Sequence, residues 1–296
     1  MHFEYFLSII IIIFILLWLR KKIKKYKSIY NINGFDGIYL YFINKNFKKS
    51  GLSNFIDKKK YSLGKEISKI SHNKILYGPY AGTKILSSYG WSNTDFSSKY
   101  LGTYESHIQN KIINLVKKKK FSYIIDLGAA EGYHIISLLK KKIFNKGIAF
   151  ELNKKSREIL KKNSQINNIH SKIKIYGDAN FLTLSNILKN INSRNLFFLV
   201  DIEGKEYYLF DDFFCKRFSQ STFIIEEHPF NVPNKNKIKR FMRKIKKYHN
   251  VEVLNDVSKN PFNFRILDKF SDDEKYLMMS EGRPKSMRWL VLKPKK

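Results

Sequence analysis

From residue 100 onward, short apolar runs alternate with stretches whose apolar residues recur every three or four positions. FSYIIDL (121–127) is a nearly continuous apolar run ending in Asp and then Gly, as a strand buried on both faces should. GIAFE (147–151), KIKIY (172–176), LFFLVD (196–201) and TFIIE (222–226) repeat the pattern, and short strands are expected again at 251–254 and 288–292. Helical spacing covers 104–116, 132–142, 155–167, 180–191 and a strongly basic stretch, 236–248. Strands alternating with helices of about 10–15 residues predict right-handed crossovers and a parallel sheet covered on both faces. In such sheets ligands bind at the carboxyl ends of the strands, where the strand order reverses. Residues 28–100 are rich in Gly, Ser and Tyr and show no such alternation. We read them as an N-terminal extension or cap preceding a domain at 101–296.

The opening of the chain has a different pattern. FLSIIIIIFILLWL (6–19) is broken only by Ser8, and Arg20, Lys21, Lys22, Lys24, Lys25 and Lys27 follow it. At about 1.5 Å per residue the run nearly spans a hydrocarbon core of about 30 Å. A cleavable signal peptide would carry its positive charge before the apolar run and small residues after it. Residues 1–27 are therefore expected to be a single-pass transmembrane anchor with a basic flank. The positive-inside rule puts the remainder on the cytoplasmic side, and the flank can pair with anionic lipid.

Composition changes this picture little. The formal net charge is +31, but only nine of the 56 basic residues are Arg, the type favoured for bidentate phosphate and base contacts. The excess of Lys, Ile, Asn, Phe and Tyr is a bias of the whole chain, so nucleic acid is not the expected partner. The single cysteine, Cys215, excludes an intrachain disulfide and sits in an apolar stretch as a small buried hydrophobe.

Chemistry gathers where the strands end. After the first, Asp126 leads into Gly128, Ala129, Ala130, Glu131 and Gly132, a turn that opens a helix. Glycines there let a ligand approach the backbone. The dinucleotide fingerprint requires a different glycine spacing, and Glu131 would face the pyrophosphate at a helix end that otherwise attracts anions. A nucleoside carrying a sulfonium and an ammonium suits acidic surroundings better. Glu151 ends the second strand, placed to accept ribose hydroxyls, and Asp178 ends the third, placed to accept from an adenine amino group. The fourth strand ends VDIEGKE, bringing Asp201, Glu203 and Glu206; the fifth ends IIEEHP, bringing Glu226, Glu227 and His228. Such a rim can remove a proton from an attacking hydroxyl, with His228 the expected acceptor because it can be neutral near pH 7. It could instead bind a divalent cation, but no metal is assigned to it.

The runs from Asp126 to Gly132, AFELN (149–153), DIEGKE (201–206) and EEHP (226–229) together resemble the FkbM-type branch of class I S-adenosylmethionine-dependent methyltransferases. LGTYE (101–105) is also similar to the segment preceding the core in some members. The resemblance implies an α/β, Rossmann-like sheet of seven strands, mostly parallel, with the last antiparallel. It implies S-adenosyl-L-methionine as cofactor, held by Asp126, Gly128, Ala129, Gly132, Glu151 and Asp178. Asp201, Glu203 and His228 would face a hydroxyl acceptor, such as the sugar of a glycan or glycolipid. The alternatives are an NAD-dependent oxidoreductase on a similar sheet and a membrane-tethered binding protein without activity.

Overall fold

The alternation of strand and helix is present in a computed structural model that describes residues 52–86, 95–232, 234–283 and 287–295, with Arg20 and Ile23 besides. The chain divides into two compact units, residues 1–58 and 59–296. The expected membrane anchor lies outside the described residues. Among the described residues no helix is long and apolar enough to cross a membrane.

The elements are α1 (Leu52–Ile70), α2 (Phe96–Leu101), α3 (Ser106–Lys118), β1 (Tyr123–Leu127), α4 (Tyr133–Lys140), β2 (Lys146–Phe150), α5 (Lys154–Ile166), β3 (Ile173–Tyr176), α6 (Phe181–Ile187), β4 (Leu196–Val200), α7 (Glu206–Leu209), α8 (Asp212–Arg217), β5 (Thr222–Glu227), α9 (Lys235–Tyr248), β6 (His249–Asn255), α10 (Asp272–Met279) and β7 (Arg288–Pro294). The seven strands form one sheet in the order β3-β2-β1-β4-β5-β7-β6. Pairs β3–β2, β2–β1, β1–β4 and β4–β5 are parallel, whereas β7 runs antiparallel to both β5 and β6. The order reverses between β1 and β4, which puts the carboxyl ends of β1 through β5 along one rim.

Two apolar layers explain the continuous hydrophobic runs. One face of the sheet, with Ile124, Ala149, Phe197, Leu199 and Ile224, packs with Ile108 and Ile112 of α3, Ile135 and Leu139 of α4, and Leu160 of α5. The other, with Ile125, Ile148, Phe198, Val200 and Phe223, packs with Phe214 of α8 and Phe241 and Ile245 of α9. Strands buried on both sides cannot alternate apolar with polar residues, so their sequences read as runs. Cys215 is buried in the second layer and unpaired.

Residues 59–86 and 95–100, read from sequence as part of an extension, belong to the same compact unit as the sheet. Ile75, Tyr80 and Ile85 join the first layer. Leu63, Ile67, Tyr100 and Leu101 form a separate cluster with Leu267, Phe270, Met278 and Met279 around α10. α10 opens with a reciprocal capping box between Ser271 and Glu274.

Candidate functional site

The turn after β1 is built from backbone constraints. Gly128 has φ +89°, and a Cβ added there would stand 1.7 Å from the carbonyl oxygen of Asp201. The close approach is fixed by the neighbouring strand, since the Asp201 N–H donates to the carbonyl of Leu127 at 2.9 Å. Gly132, φ +88°, caps α4 from the left-handed region, and a Cβ there would meet Leu160 at 2.2 Å. Both positions therefore require glycine for protein packing, independently of any ligand. Between them Ala130 also has positive φ, +46°.

Glu151 holds this turn from the end of β2. Its Oε2 accepts the N–H of Ala130 at 2.8 Å and its Oε1 the N–H of Asn153 at 2.6 Å. A carboxylate offers about four lone-pair sites, so capacity remains for a ligand hydroxyl. Asp126 is buried beside it and makes no ion pair with any described cation. Burial pushes its carboxyl well above the usual range, and the charges of Asp201, Glu151 and Glu105 add to the rise. Asp178 is exposed and accepts from Asn180 Nδ2 at 2.9 Å. Ala129 is buried in the turn, its N–H donating to the carbonyl of Phe150 at 3.0 Å.

Glu131 does not face a ligand. It is fully buried and ion-paired with Lys99 of α2, which also meets Asp95 at 2.9 Å. Lys99 meets its charge, so Glu131 repels no pyrophosphate; the acids left at the turn are Asp126 and Glu151, with Asp201 nearby, and these disfavour an anion there. The chain order of the sheet adds a second reason, because the dinucleotide fold is parallel with order 3-2-1-4-5-6, whereas here an antiparallel β7 stands between β5 and β6.

The ends of β4 and β5 bring Asp201, Glu203 and His228 together. His228 Nε2 lies 3.5 Å from Asp201 Oδ1 and 3.5 Å from Glu203 Oε2. One ligand atom from each of the three lies within 4.8 Å of the others, a spacing that could hold a metal ion. His228 is buried, while the Asp201 and Glu203 side chains keep 33% and 51% of their surface, so the group opens on its carboxylate side. Glu203 occupies the left-handed region at φ +55°, followed by Gly204 at φ +96°. Strand alternation separates the two glutamates that end β5. Glu226 joins the rim, 3.8 Å from His228 Nε2, whereas Glu227 turns inward to Arg288 at 2.5 Å.

Electrostatics alters the role expected of His228. Burial alone would lower its pKa, but its hydrogen bond with Glu206 and the charges of Asp201, Glu206 and Glu203 outweigh that and raise it. The imidazole is thus held towards its cationic form near neutral pH. Asp201 moves the other way for a base: burial and the charges of Glu105 and Glu203, opposed by His228, raise its pKa to about 7. Glu226 is raised well above the ordinary value by burial and by Asp201 and Glu105, and the carboxyl groups of Glu226 and Asp201 hydrogen-bond to each other.

Two residues outside the expected set organise the rim. Glu206, fully buried, accepts the N–H of Gly204 at 2.8 Å and the N–H of His228 at 2.9 Å, tying the β4 loop to the end of β5. Arg283 joins Glu105 at 2.5 Å, Glu281 at 2.9 Å and Glu226, and so balances three buried acids. Glu105 also meets His134 Nε2 at 2.8 Å. Its pKa falls to about 2 because His134 and Arg283 outweigh burial. The VDIEGKE run displays Glu206 in sequence; Arg283, at the end of a loop, carries no such signal.

No family model matches the chain, and no curated protein matches it. Solved structures similar to it include an O-methyltransferase from Bacillus cereus in complex with SAH, at 14% identity and TM-score 0.45, covering 78% of this chain and 90% of that one. The O-methyltransferase TomG from Streptomyces achromogenes, in complex with SAM, is 10% identical with TM-score 0.46, over 68% and 88% of the two chains. TrmK from M. capricolum, in complex with S-adenosyl-homocysteine, is 16% identical with TM-score 0.39, over 62% and 68%. At these values nothing about activity carries over.

Proposed function

We propose that the chain is an S-adenosylmethionine-dependent O-methyltransferase of the FkbM-like kind, acting on a hydroxyl of a glycan, glycolipid or small molecule at a membrane. The observation that carries this reading is the buried Asp126, which lacks a cationic partner among the described residues, beside a turn braced by Glu151. A buried carboxyl with its pKa raised in this way ionises readily only beside a positive charge, and this cofactor brings an ammonium and a sulfonium. Asp126 and the turn from Gly128 through Ala129 to Gly132 would hold it, with Glu151 and Asp178 accepting from its hydroxyl and amino groups. When bound it supplies an activated methyl group.

The acceptor faces Asp201, Glu203 and His228. Methyl transfer is governed by positioning, and a hydroxyl must also lose its proton as it attacks. Asp201 takes that proton, because a pKa of about 7 matches a base working near neutral pH. His228, its pKa raised by these acids, orients Asp201 and Glu203 and offsets part of their charge. A second reading follows from the buried Asp201 Oδ1, which has no hydrogen-bond partner. With Glu203 and His228 it would ligate a divalent cation that binds the acceptor oxygen.

Calorimetry on the purified chain tests the cofactor. S-adenosylmethionine or its demethylated product should bind, and Asp126→Asn or Glu151→Ala should weaken binding by about 1–3 kcal/mol, the cost of an unpaired buried group. Tight binding of NAD with none of S-adenosylmethionine would overturn the proposal. Repeating turnover assays with EDTA and with magnesium separates the two readings of Asp201.

A further inference from the structure

Outside the rim, α9, KNKIKRFMRKIKKY, carries eight cations and no acid in 14 residues. Its apolar side is used: Phe241 and Ile245 are buried in the second core layer. Lys235, Lys239, Arg240, Arg243, Lys246 and Lys247 are exposed. Asp212 lies 3.9 Å from Lys244 and from Lys247, and no other described carboxylate comes within 4.0 Å of an α9 cation. Lys239, Arg240 and Arg243 converge with Asn236 on an open groove of about 370 Å³.

The surroundings of this helix are aromatic and close to the acceptor rim. Lys237 sits 3.4 Å above the ring of Tyr208 on α7, which is 57% exposed. Phe230, 42% exposed, lies 6.0 Å from His228, ring centre to ring centre. Asn231, adjacent to it, donates to Glu203 at 3.3 Å, and α9 begins four residues later. Exposed aromatic rings beside uncompensated lysines are the composition of a surface that lies in a lipid headgroup layer.

We propose that the exposed face of α9, with Tyr208 and Phe230 at its edge, docks on an anionic lipid bilayer and holds the acceptor rim against it. This rests on the methyltransferase reading only for what the rim does; the docking itself depends on charge. Asp212 alone among the described carboxylates comes near these eight cations, so the face keeps nearly all its positive charge for an anionic surface. The apolar run at 6–19 and its basic flank are expected from sequence to bring the same chain to a membrane.

The test uses the full chain reconstituted into vesicles of phosphatidylcholine alone or with a third phosphatidylserine. Reactivity of Lys239 and Lys246 towards an amine-modifying reagent is read by mass spectrometry. Both should be protected at least fivefold in the phosphatidylserine vesicles, and the protection should vanish at 1 M salt. Combined Arg240→Gln and Arg243→Gln substitution should reduce protection of Lys246 to near that in neutral vesicles. Equal reactivity in the two lipids would overturn the proposal, as would protection by added RNA but not by phosphatidylserine. S-adenosylmethionine affinity measured on the same samples reports on the methyltransferase reading separately.

Discussion

Replacing Glu206 by Gln should loosen the acceptor rim without removing any group that faces it. Glu206 accepts two buried backbone N–H groups, from Gly204 at 2.8 Å and His228 at 2.9 Å, one on each oxygen. Glutamine keeps one acceptor oxygen and turns an NH₂ towards the other N–H. One charge-assisted bond becomes a donor facing a donor, leaving a buried N–H unpaired at a cost of about 1–3 kcal/mol; the surviving bond becomes neutral and loses about 1 kcal/mol more. Removing a fully buried charge recovers part of its desolvation, so the expected net loss is about 2 kcal/mol. With an m-value of about 3 kcal/mol/M in urea, the unfolding midpoint should fall by about 0.7 M.

The same substitution has a second readout. Burial depresses the His228 pKa, whereas the Glu206 hydrogen bond and the charges of Asp201, Glu206 and Glu203 raise it. Without the Glu206 charge the imidazole pKa should drop, as followed by NMR titration with EDTA present. A side chain that merely filled space would shift stability and leave this pKa in place. A stability loss below about 0.5 kcal/mol together with an unchanged pKa would refute the reasoning.

Asp201→Asn should change the pH dependence of stability. The Asp201 pKa is raised from 3.8 to about 7, so between these values the folded chain binds the extra proton and wild-type stability falls as pH rises. The asparagine variant should lose that slope, and thermal melts at pH 5 and pH 8 would show it; an unchanged slope would count against the raised pKa. Gly128→Ala should be more damaging than Ala129→Gly, because its Cβ meets a backbone carbonyl at 1.7 Å and its φ is +89°. Urea midpoints should rank the two in that order, and equal midpoints would mean that the β1 turn can move away from β4.

Much of the fold was legible because a doubly covered parallel sheet leaves a strong trace. All seven strand positions were readable to within a few residues, and the acids and glycines at their ends fell on one rim as the order β3-β2-β1-β4-β5 requires. What escaped reading has local causes. α7 and α8 are four and six residues long, too short to show a period. α10 carries a visible capping sequence, Ser271 to Glu274, but its apolar residues pack on α1 and α2 from far away in sequence. The segment before residue 100 looked like an extension because its described residues bring no strand to the sheet, yet Tyr80 is wholly buried against the core layer of α3 and α4.

Glu131 shows where residue-by-residue inference stops. Its place in the β1 turn suggested a charge aimed at the ligand, and only the partner supplied by α2, Lys99, removes it from the site. Sequence distance hides that pairing: the two residues are 32 positions apart and on different elements. The proposal of a cationic rather than a phosphorylated ligand rests instead on carboxyl groups whose ionisation burial opposes. Asp126, Asp201 and Glu226 all have raised pKa values; burial is the largest cause for each, Glu105 adds to all three, and Asp201 adds to the rise at Asp126 and Glu226. Among the described residues the groups that pair with these rim acids are Arg283, joined to Glu226, and His228, beside Asp201 and Glu226. Acids that destabilise one another at the crossover of a sheet persist when the protein needs the potential they create. A bound cation would relieve that repulsion, so ligand binding should stabilise this fold more at pH 8, where Asp201 is ionised, than at pH 5.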